Sequence, residues 1–132
     1  MMKRTEAREA AFLLLFEHSF SGEECFETLR DLAKTCWDVD CDAYTETLYR
    51  GVSENVVMLD GLIDRFSEKW KSSRLSRVML TALRIALFEL ELYGKEDAAV
   101  YINEAVELIK HYDSVESAKY ANGILGSYVA SL

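Results

Sequence analysis

Residues 75–93 read LSRVMLTALRIALFELELY, and this stretch decides the fold. Its apolar residues occupy nearly every side of a helix, which is typical of a helix buried at the centre of a domain. The stretch also has the length of a membrane span. However, it contains four charged side chains that are each costly at bilayer depth: Arg77, Arg84, Glu89 and Glu91. We therefore predict a central core helix, with Gly94 as its C-terminal cap.

On the amino-terminal side of this helix, the spacing of apolar residues predicts two helices in the first third of the chain. The first begins near Thr5 and ends at Ser21 and Gly22. Ser21 and Glu24 have the spacing of a capping box, which would open the second helix. The expected inner face of this second helix consists of Phe26, Leu29, Leu32, Ala33 and Cys36.

A long third helix is predicted over residues 43–70, because apolar residues recur there at steps of three or four. These residues are Tyr44, Leu48, Val52, Val56, Leu59, Ile63 and Phe66. Gly51 and Gly61 each weaken such a helix by about 1 kcal/mol relative to alanine. We expect a bend or close packing at these two positions.

Two further helices are predicted after the central one. Asp97 is the expected cap of a helix that ends near Tyr112 and buries Ala98, Ile102, Ala105, Val106 and Ile109. Ser114 is the expected cap of the last helix, whose inner side is Ala118, Ala121, Ile124, Leu125 and Tyr128. Gly123 would lie inside this helix and let a neighbouring helix approach closely.

The expected fold class is therefore all-α, with six or seven helices. The chain has 132 residues, of which 50% are hydrophobic and 29% charged, and it contains no proline. This length fits one domain. We predict a single helical domain over residues 1–132.

The charge of the chain is unevenly distributed. Fifteen basic residues against 23 acidic ones give a net charge of −8, which would argue against nucleic acid binding if the charges were spread evenly. Residues 17–64 contain three bases and twelve acids, a net charge of −9, whereas residues 65–77 contain five bases and one acid, a net charge of +4. The second segment is where a polyanion could bind.

Composition and motifs argue against several classes of protein. No glycine-rich cofactor loop and no recognised pair of nucleophile and base is present, so we predict neither an enzyme nor a bound cofactor. The three cysteines fit neither a disulfide framework nor a metal site, and we expect them to be reduced: Cys25, Cys36 and Cys41. The first apolar run continues into Glu17 without a cleavage-site pattern, and we expect a cytoplasmic protein.

Three motifs in order resemble the NusB family of transcription antitermination factors. They are ALRIALFEL at 82–90, YINEAVELIK at 101–110 and KYANGIL at 119–125. Shorter matches are AREA at 7–10 and LDGLI at 59–63, so the resemblance extends over essentially the whole chain. It implies an all-helical fold of two three-helix halves.

The resemblance also implies a function. Members of the family bind the single-stranded boxA element of nascent ribosomal RNA leader transcripts, together with the small-subunit ribosomal protein called NusE. The pair joins RNA polymerase and other Nus factors, so that transcription resists premature termination. No reaction is catalysed.

Candidate RNA-binding residues follow from the family motifs and from the basic segment. By resemblance, the arginine-rich amino terminus falls on Lys3, Arg4 and Arg8, and the aromatic and basic positions fall on Phe66, Lys69, Tyr112, Lys119 and Tyr120. The basic segment adds Lys71 and Arg74. Cations on phosphates and flat side chains on bases are how proteins hold single-stranded RNA. Trp70 lies in the same segment, but we expect it to be a core residue.

For the NusE-type partner, the resemblance points to Phe16, Met79 and Arg84, although Arg84 could instead form a structural ion pair. Asn103 and Glu104 could organise helix packing or contact a partner. A second hypothesis is an acidic scaffold that recruits a basic ribosomal protein and has little direct contact with RNA. Under the first hypothesis, the net charge predicts weak RNA binding by the chain alone and a basic partner that supplies much of the affinity.

Overall fold

The structure, a computed structural model, describes residues 2–21 and 26–132 and contains seven α-helices in these ranges. They are α1 (Arg4–Ser21), α2 (Phe26–Trp37), α3 (Ala43–Glu54), α4 (Val56–Phe66), α5 (Arg77–Tyr93), α6 (Ala98–Tyr112) and α7 (Val115–Ala130). Short 3-10 helices at Ser72–Arg74 and Lys95–Asp97 precede α5 and α6. The expected all-α class is confirmed. Throughout the described part of the chain, every helix is too short or too polar to cross a membrane.

The chain forms two compact units, Met1–Glu54 with three α-helices and Asn55–Leu132 with four. In the first unit, α1 packs mainly against α3. The hydroxyl of Thr45 donates a hydrogen bond to the Ala7 carbonyl over 3.2 Å and so joins these two helices. Asp42 caps α3, since its carboxylate accepts the Thr45 N–H at 2.9 Å.

The helix predicted over residues 43–70 is divided into α3 and α4, and the prediction of one continuous helix is wrong. Asn55 interrupts it with non-helical angles (φ −123°, ψ 21°), and Ser67 is extended beyond the end of α4. The apolar spacing continues through the break because each helix still buries its own stripe of side chains. A Cβ atom at Gly61 would meet no atom of a neighbouring helix within 4 Å, so the close packing expected there is absent.

In the second unit, α5 lies in the middle and contacts α4, α6 and α7, as expected for the central helix. Its amino terminus is capped by Ser76, whose hydroxyl accepts the Met79 N–H at 3.1 Å. Its carboxyl terminus ends at Gly94 with φ +85°, a left-handed conformation that favours glycine. Both ends of the predicted core helix are thus confirmed within two residues.

The other capping predictions have mixed outcomes. Ser114 caps α7 as predicted, because its hydroxyl accepts the Ser117 N–H at 3.0 Å. Asp97 precedes α6 as predicted, but its side chain makes no capping hydrogen bond. The capping box of Ser21 and Glu24 lies outside the described residues. Gly123 is exposed with open space around it, so the close helix approach predicted there is wrong.

Two of the predicted inner faces need correction. In α2 the buried stripe is Phe26, Leu29 and Ala33, whereas Leu32 and Cys36 are exposed. In α6 the stripe facing the core consists of Ala98, Tyr101, Ala105, Leu108 and Ile109. Ile102 and Val106 are only half-buried, because they lie at the edge of that stripe and border an open groove instead. The inner side of α7 is buried as predicted.

Candidate nucleic-acid interface

The connection between α4 and α5 is held against α7 by one side chain, Tyr120. Its hydroxyl accepts hydrogen bonds from the backbone N–H groups of Lys69 at 2.9 Å and Trp70 at 3.1 Å. It also lies 2.7 Å from the hydroxyl of Ser67, which itself donates to the Trp70 carbonyl. One phenol therefore fixes the backbone from which the basic side chains of this connection project.

These hydrogen bonds change the acidity of the phenol. Burial by itself raises the pKa of Tyr120, but the hydrogen bonds with Ser67 and with the Trp70 and Lys69 amides outweigh it. The pKa of Tyr120 consequently lies below its ordinary value. Because the hydroxyl is occupied by the connection, the half-buried ring is the part of Tyr120 that remains for contact with a base.

Two carboxylates fix the rest of the connection. Asp64 accepts the Ser72 N–H at 2.6 Å and the Ser72 hydroxyl at 3.3 Å. Asp113 accepts the Ser76 hydroxyl at 2.6 Å and the Ser117 hydroxyl at 3.2 Å. The segment between α4 and α5 is thus anchored at three points, and its conformation is set before any ligand binds.

Four exposed cations lie in or beside this anchored segment and have no carboxylate partner among the described residues. Among residues 2–21 and 26–132, no ion pair is formed by Lys69, Lys71, Arg74 or Lys119. Five other cations of the described residues form ion pairs: Arg30, Lys34, Arg50, Arg84 and Lys110. The acidic protein therefore keeps a cluster of uncompensated positive charge in one place.

A groove of about 480 Å³ lies beside this cluster, and we call it the Trp70 groove. Its lining includes Lys69, Trp70, Arg74, Asp113, Glu116 and Tyr120. Trp70 is 50% exposed, so the expectation that it is a core residue is wrong. The sequence signal for exposure is the position of Trp70 between Lys69 and Lys71, two side chains that are rarely buried.

Phe66 lies in a smaller groove of about 210 Å³, together with Lys119 and Tyr120. Its ring is half-buried and packs edge-on against Tyr128 at a centroid distance of 5.6 Å. The Arg65 guanidinium lies 5.2 Å from the centroid of the same ring. The structure therefore brings the predicted residues Phe66, Lys119 and Tyr120 together, although Phe66 has part of its surface already covered.

Tyr112 is placed apart from the two grooves. It is 38% exposed at the end of α6, where the His111 ring packs edge-on against it at 4.5 Å. It lines neither the Trp70 groove nor the Phe66 groove.

The predicted basic amino terminus belongs to the first unit. Lys3 is exposed, and its backbone N–H donates to the Glu6 carboxylate at 3.2 Å. Arg4 is exposed and its guanidinium lies 3.8 Å from the centroid of the Tyr44 ring. Arg8 is only 6% exposed and faces the same ring at 5.9 Å, so its guanidinium packs inside the fold rather than on the surface as predicted.

The three predicted partner residues differ in accessibility. Phe16 is half-buried and stacks on Phe12 at 6.0 Å. Met79, predicted as a partner residue, lines the Trp70 groove but is only 5% exposed, so it offers little surface to a partner. Arg84 forms a two-pronged ion pair with Asp60 through two 2.8 Å hydrogen bonds, which is the structural alternative considered for it.

The remaining candidates have other surroundings. Asn103 is exposed and lines a separate groove between α6 and α7, whereas Glu104 is half-buried. In the described ranges, His, Cys, Asp and Glu side chains form no group of three that could hold a metal ion. Cys36 is exposed and Cys41 is partly buried, and Cys25 lies outside the described residues.

Comparison with known proteins gives a consistent picture. The model of the NusB family matches residues 5–130. Transcription antitermination protein NusB of Clostridium acetobutylicum is 35% identical over 131 residues, which cover 98% of this chain and 97% of that protein.

Solved structures agree with this match. T. maritima NusB is 36% identical, with a TM-score of 0.80 over 98% of this chain and 92% of that chain. A chain from the crystal structure of antitermination factors NusB and NusE in complex with dsRNA is 25% identical, with a TM-score of 0.84 and full coverage of both chains (100% each). Sequence and fold therefore agree over the whole length, and the chain belongs to the NusB family.

Proposed function

We propose that this chain is a transcription antitermination factor that binds single-stranded RNA of the boxA type in ribosomal RNA leader transcripts. It acts as one domain over residues 1–132, together with a NusE-type small-subunit ribosomal protein. The complex joins RNA polymerase and other Nus factors in the cytoplasm. The similarity to NusB of Clostridium acetobutylicum and to the NusB chain crystallised with NusE and dsRNA supports this proposal.

The cluster of Lys69, Lys71, Arg74 and Lys119 is the observation that carries the proposal. Although the net charge is −8, these four cations form no ion pair within residues 2–21 and 26–132, and they lie close together around the connection between α4 and α5. Unpaired, exposed cations are available to phosphates, and each phosphate they neutralise releases condensed counterions.

Aromatic rings next to these cations supply the second half of an RNA site. Bases of single-stranded RNA are unstacked and can lie against flat side chains. Tyr120 offers its ring beside Lys69 and Lys119, and Phe66 offers the uncovered part of its ring beside Lys119. Lys3 and Arg4 in the first unit, and Tyr112 at the end of α6, would add further contacts along the RNA.

The acidic segment at 17–64 favours a basic protein partner. All three of its cations are already in ion pairs: Arg30 with Asp31, Lys34 with Asp38 and Asp40, and Arg50 with Glu27 and Glu46. The remaining carboxylates therefore keep their negative field, which attracts a cationic ribosomal protein. Phe16 would contribute an apolar contact to the same partner.

The second candidate function is the acidic scaffold, in which the partner protein makes most of the contact with RNA. The neutralised cations of segment 17–64 favour it, since they leave a net negative charge that attracts a basic protein. The two functions differ in the role of Lys69, Lys71 and Arg74. These residues bind RNA phosphates in the first function and have little contact with RNA in the second.

An RNA titration tests the proposal. The complex of this chain with a NusE-type protein is titrated with boxA-type RNA over a series of salt concentrations. If four phosphates are neutralised by the cluster, the cluster should contribute about −3 to the slope of log affinity against log salt for single-stranded RNA, in addition to the contribution of the partner protein. A scrambled RNA of the same composition is the control.

A charge-reversed variant separates the two candidates. Lys69→Glu, Lys71→Glu and Arg74→Glu together should weaken RNA binding strongly and leave binding of the NusE-type protein unchanged. Unchanged RNA recruitment by this variant would favour the scaffold. A salt slope near zero, or equal affinity for the scrambled RNA, would contradict direct recognition of boxA-type RNA.

A further inference from the structure

The Trp70 groove contains a carboxylate, Glu116, that would repel the phosphates of RNA. Glu116 lines it and makes no hydrogen bond or ion pair in the ranges that the structure describes. A site that bound only phosphates would gain affinity by lacking this negative charge. Glu116 is thus an exposed acceptor without a partner in a groove that also contains Lys69 and Arg74, and such an acceptor suits a ligand group that donates hydrogen bonds.

The second carboxylate of the groove is already committed. Each oxygen of Asp113 accepts a serine hydroxyl, from Ser76 at 2.6 Å and from Ser117 at 3.2 Å. Asp113 thus has a structural role at the junction of α5 and α7. Glu116 is the carboxylate of the groove with both oxygens available, and it is exposed in the first turn of α7, where the helix dipole stabilises a negative charge.

The other walls of the groove suit a nucleobase. Trp70 is half exposed, and its indole offers the flat apolar surface on which an unstacked base can lie. The backbone of Trp70 is fixed by the hydroxyl of Tyr120 at 3.1 Å, so the indole is presented from an anchored position. Lys69 and Arg74 line the same groove and can hold the phosphates on either side of such a base.

We propose that the Trp70 groove selects guanine in single-stranded RNA, with Glu116 as the residue that determines the specificity. A carboxylate accepts two parallel hydrogen bonds and donates none. Guanine presents two adjacent donors on its Watson–Crick edge, the N1–H and the N2 amino group, and so matches both oxygens of one carboxylate. Adenine and cytosine place a ring nitrogen acceptor beside the amino group, and uracil has a single donor between two carbonyls.

This inference rests on the proposed RNA-binding function and adds a base preference to it. Two-pronged contacts of this kind distinguish the right base from a wrong one by about tenfold or more. The preference should therefore be measurable with short RNA, without knowledge of the natural sequence.

Fluorescence anisotropy with four labelled heptamers tests the inference. The heptamers are uridine throughout except at the central position, which is G, A, C or U. We expect the full-length protein to bind the G heptamer about tenfold more tightly than the other three. Glu116→Gln should bind all four with similar affinity, because the amide replaces one acceptor by a donor that opposes the guanine N–H groups.

Two further variants serve as controls. Glu96→Gln removes the same charge from an exposed position outside the groove and should retain the preference for guanine. Trp70→Leu should weaken binding of all four heptamers and leave their order unchanged. Circular dichroism of each variant checks that the helices are intact.

The outcomes distinguish this inference from the proposed function. Equal affinity of the wild type for all heptamers, or loss of the preference in Glu96→Gln as well, overturns the guanine assignment alone. Binding of boxA-type RNA without binding of any heptamer also overturns it alone. Absence of binding to heptamers and to boxA-type RNA, with and without a NusE-type protein, overturns both.

Discussion

The hydroxyl of Tyr120 on α7 accepts a hydrogen bond from the backbone N–H of Lys69 at 2.9 Å, across 51 positions of sequence. The same hydroxyl holds Trp70 and Ser67, so α7 sets the course of the chain between α4 and α5. The exposed cations Lys69, Lys71 and Arg74 are therefore attached to a segment whose backbone is ordered by these hydrogen bonds. Ordering before binding lowers the entropic cost of binding RNA.

Removal of the Tyr120 hydroxyl should therefore weaken both the fold and RNA binding. Tyr120→Phe keeps the ring but leaves two backbone N–H groups without this acceptor. We expect the free energy of unfolding in urea to fall by about 1 kcal/mol, and RNA affinity to fall several-fold. Ser67→Ala retains both backbone bonds and should have a smaller effect on each measurement. A Tyr120→Phe variant with unchanged RNA affinity would argue against the anchoring role.

Each unpaired cation that contacts a phosphate should contribute separately to the slope of log RNA affinity against log salt. Lys71→Ala removes one exposed charge of the cluster, and the slope of log affinity against log salt should decrease in magnitude by about 0.7. Lys95→Ala is the matched control, since Lys95 is exposed, lies outside the cluster and donates to the backbone oxygen of Leu132. Equal slopes for the two variants would mean that Lys71 does not contact phosphate.

Arg84 should behave as a structural residue of the second unit. Its ion pair with Asp60 joins α5 to α4 through two 2.8 Å hydrogen bonds, and the two side chains are 20% and 27% exposed. A double-mutant cycle of Arg84→Met and Asp60→Asn should give a coupling energy of about 1 kcal/mol in urea unfolding. If Arg84 instead served mainly to contact the partner, Arg84→Met would weaken that complex, Asp60→Asn would leave it unchanged, and the coupling energy would be close to zero.

Alkaline pH should destabilise the fold through Tyr128. Burial and the hydrogen bond that its hydroxyl donates to Glu91 raise the pKa of Tyr128 well above its ordinary value. A group whose pKa is raised by folding contributes stability below its unfolded pKa and loses it as the pH rises further. The free energy of unfolding should therefore fall as the pH rises above about 10. Tyr128→Phe should show a shallower fall over the same range, and identical pH profiles for the two proteins would contradict the prediction.

Local features of the fold were predictable because they depend on neighbouring residues. Ser114 begins α7 and Gly94 ends α5 through contacts within four residues, so their roles could be inferred from the sequence. The division at Asn55 was not predictable in the same way. The apolar spacing on its two sides is compatible with one helix or two, and only packing selects between them.

The candidate site was predictable in its location and less so in its members. The charge count pointed to residues 65–77, and the family motifs pointed to Lys119 and Tyr120, which the fold brings together. The motifs also pointed to Met79, which is buried. Trp70, expected in the core, is exposed instead. Its position depends on the hydrogen bond between its backbone N–H and the hydroxyl of Tyr120, which is distant in sequence.

The sequence by itself determined the helical class, the buried central helix and a basic segment in an acidic chain, because periodicity, capping and charge are properties of neighbouring residues. Only the tertiary structure decided which cations remain unpaired and which aromatic rings stay exposed. Ion pairs such as Arg84 with Asp60, and anchors such as Tyr120 with Lys69, join residues distant in sequence. Their free energy depends on distance and burial, which are set when the helices pack.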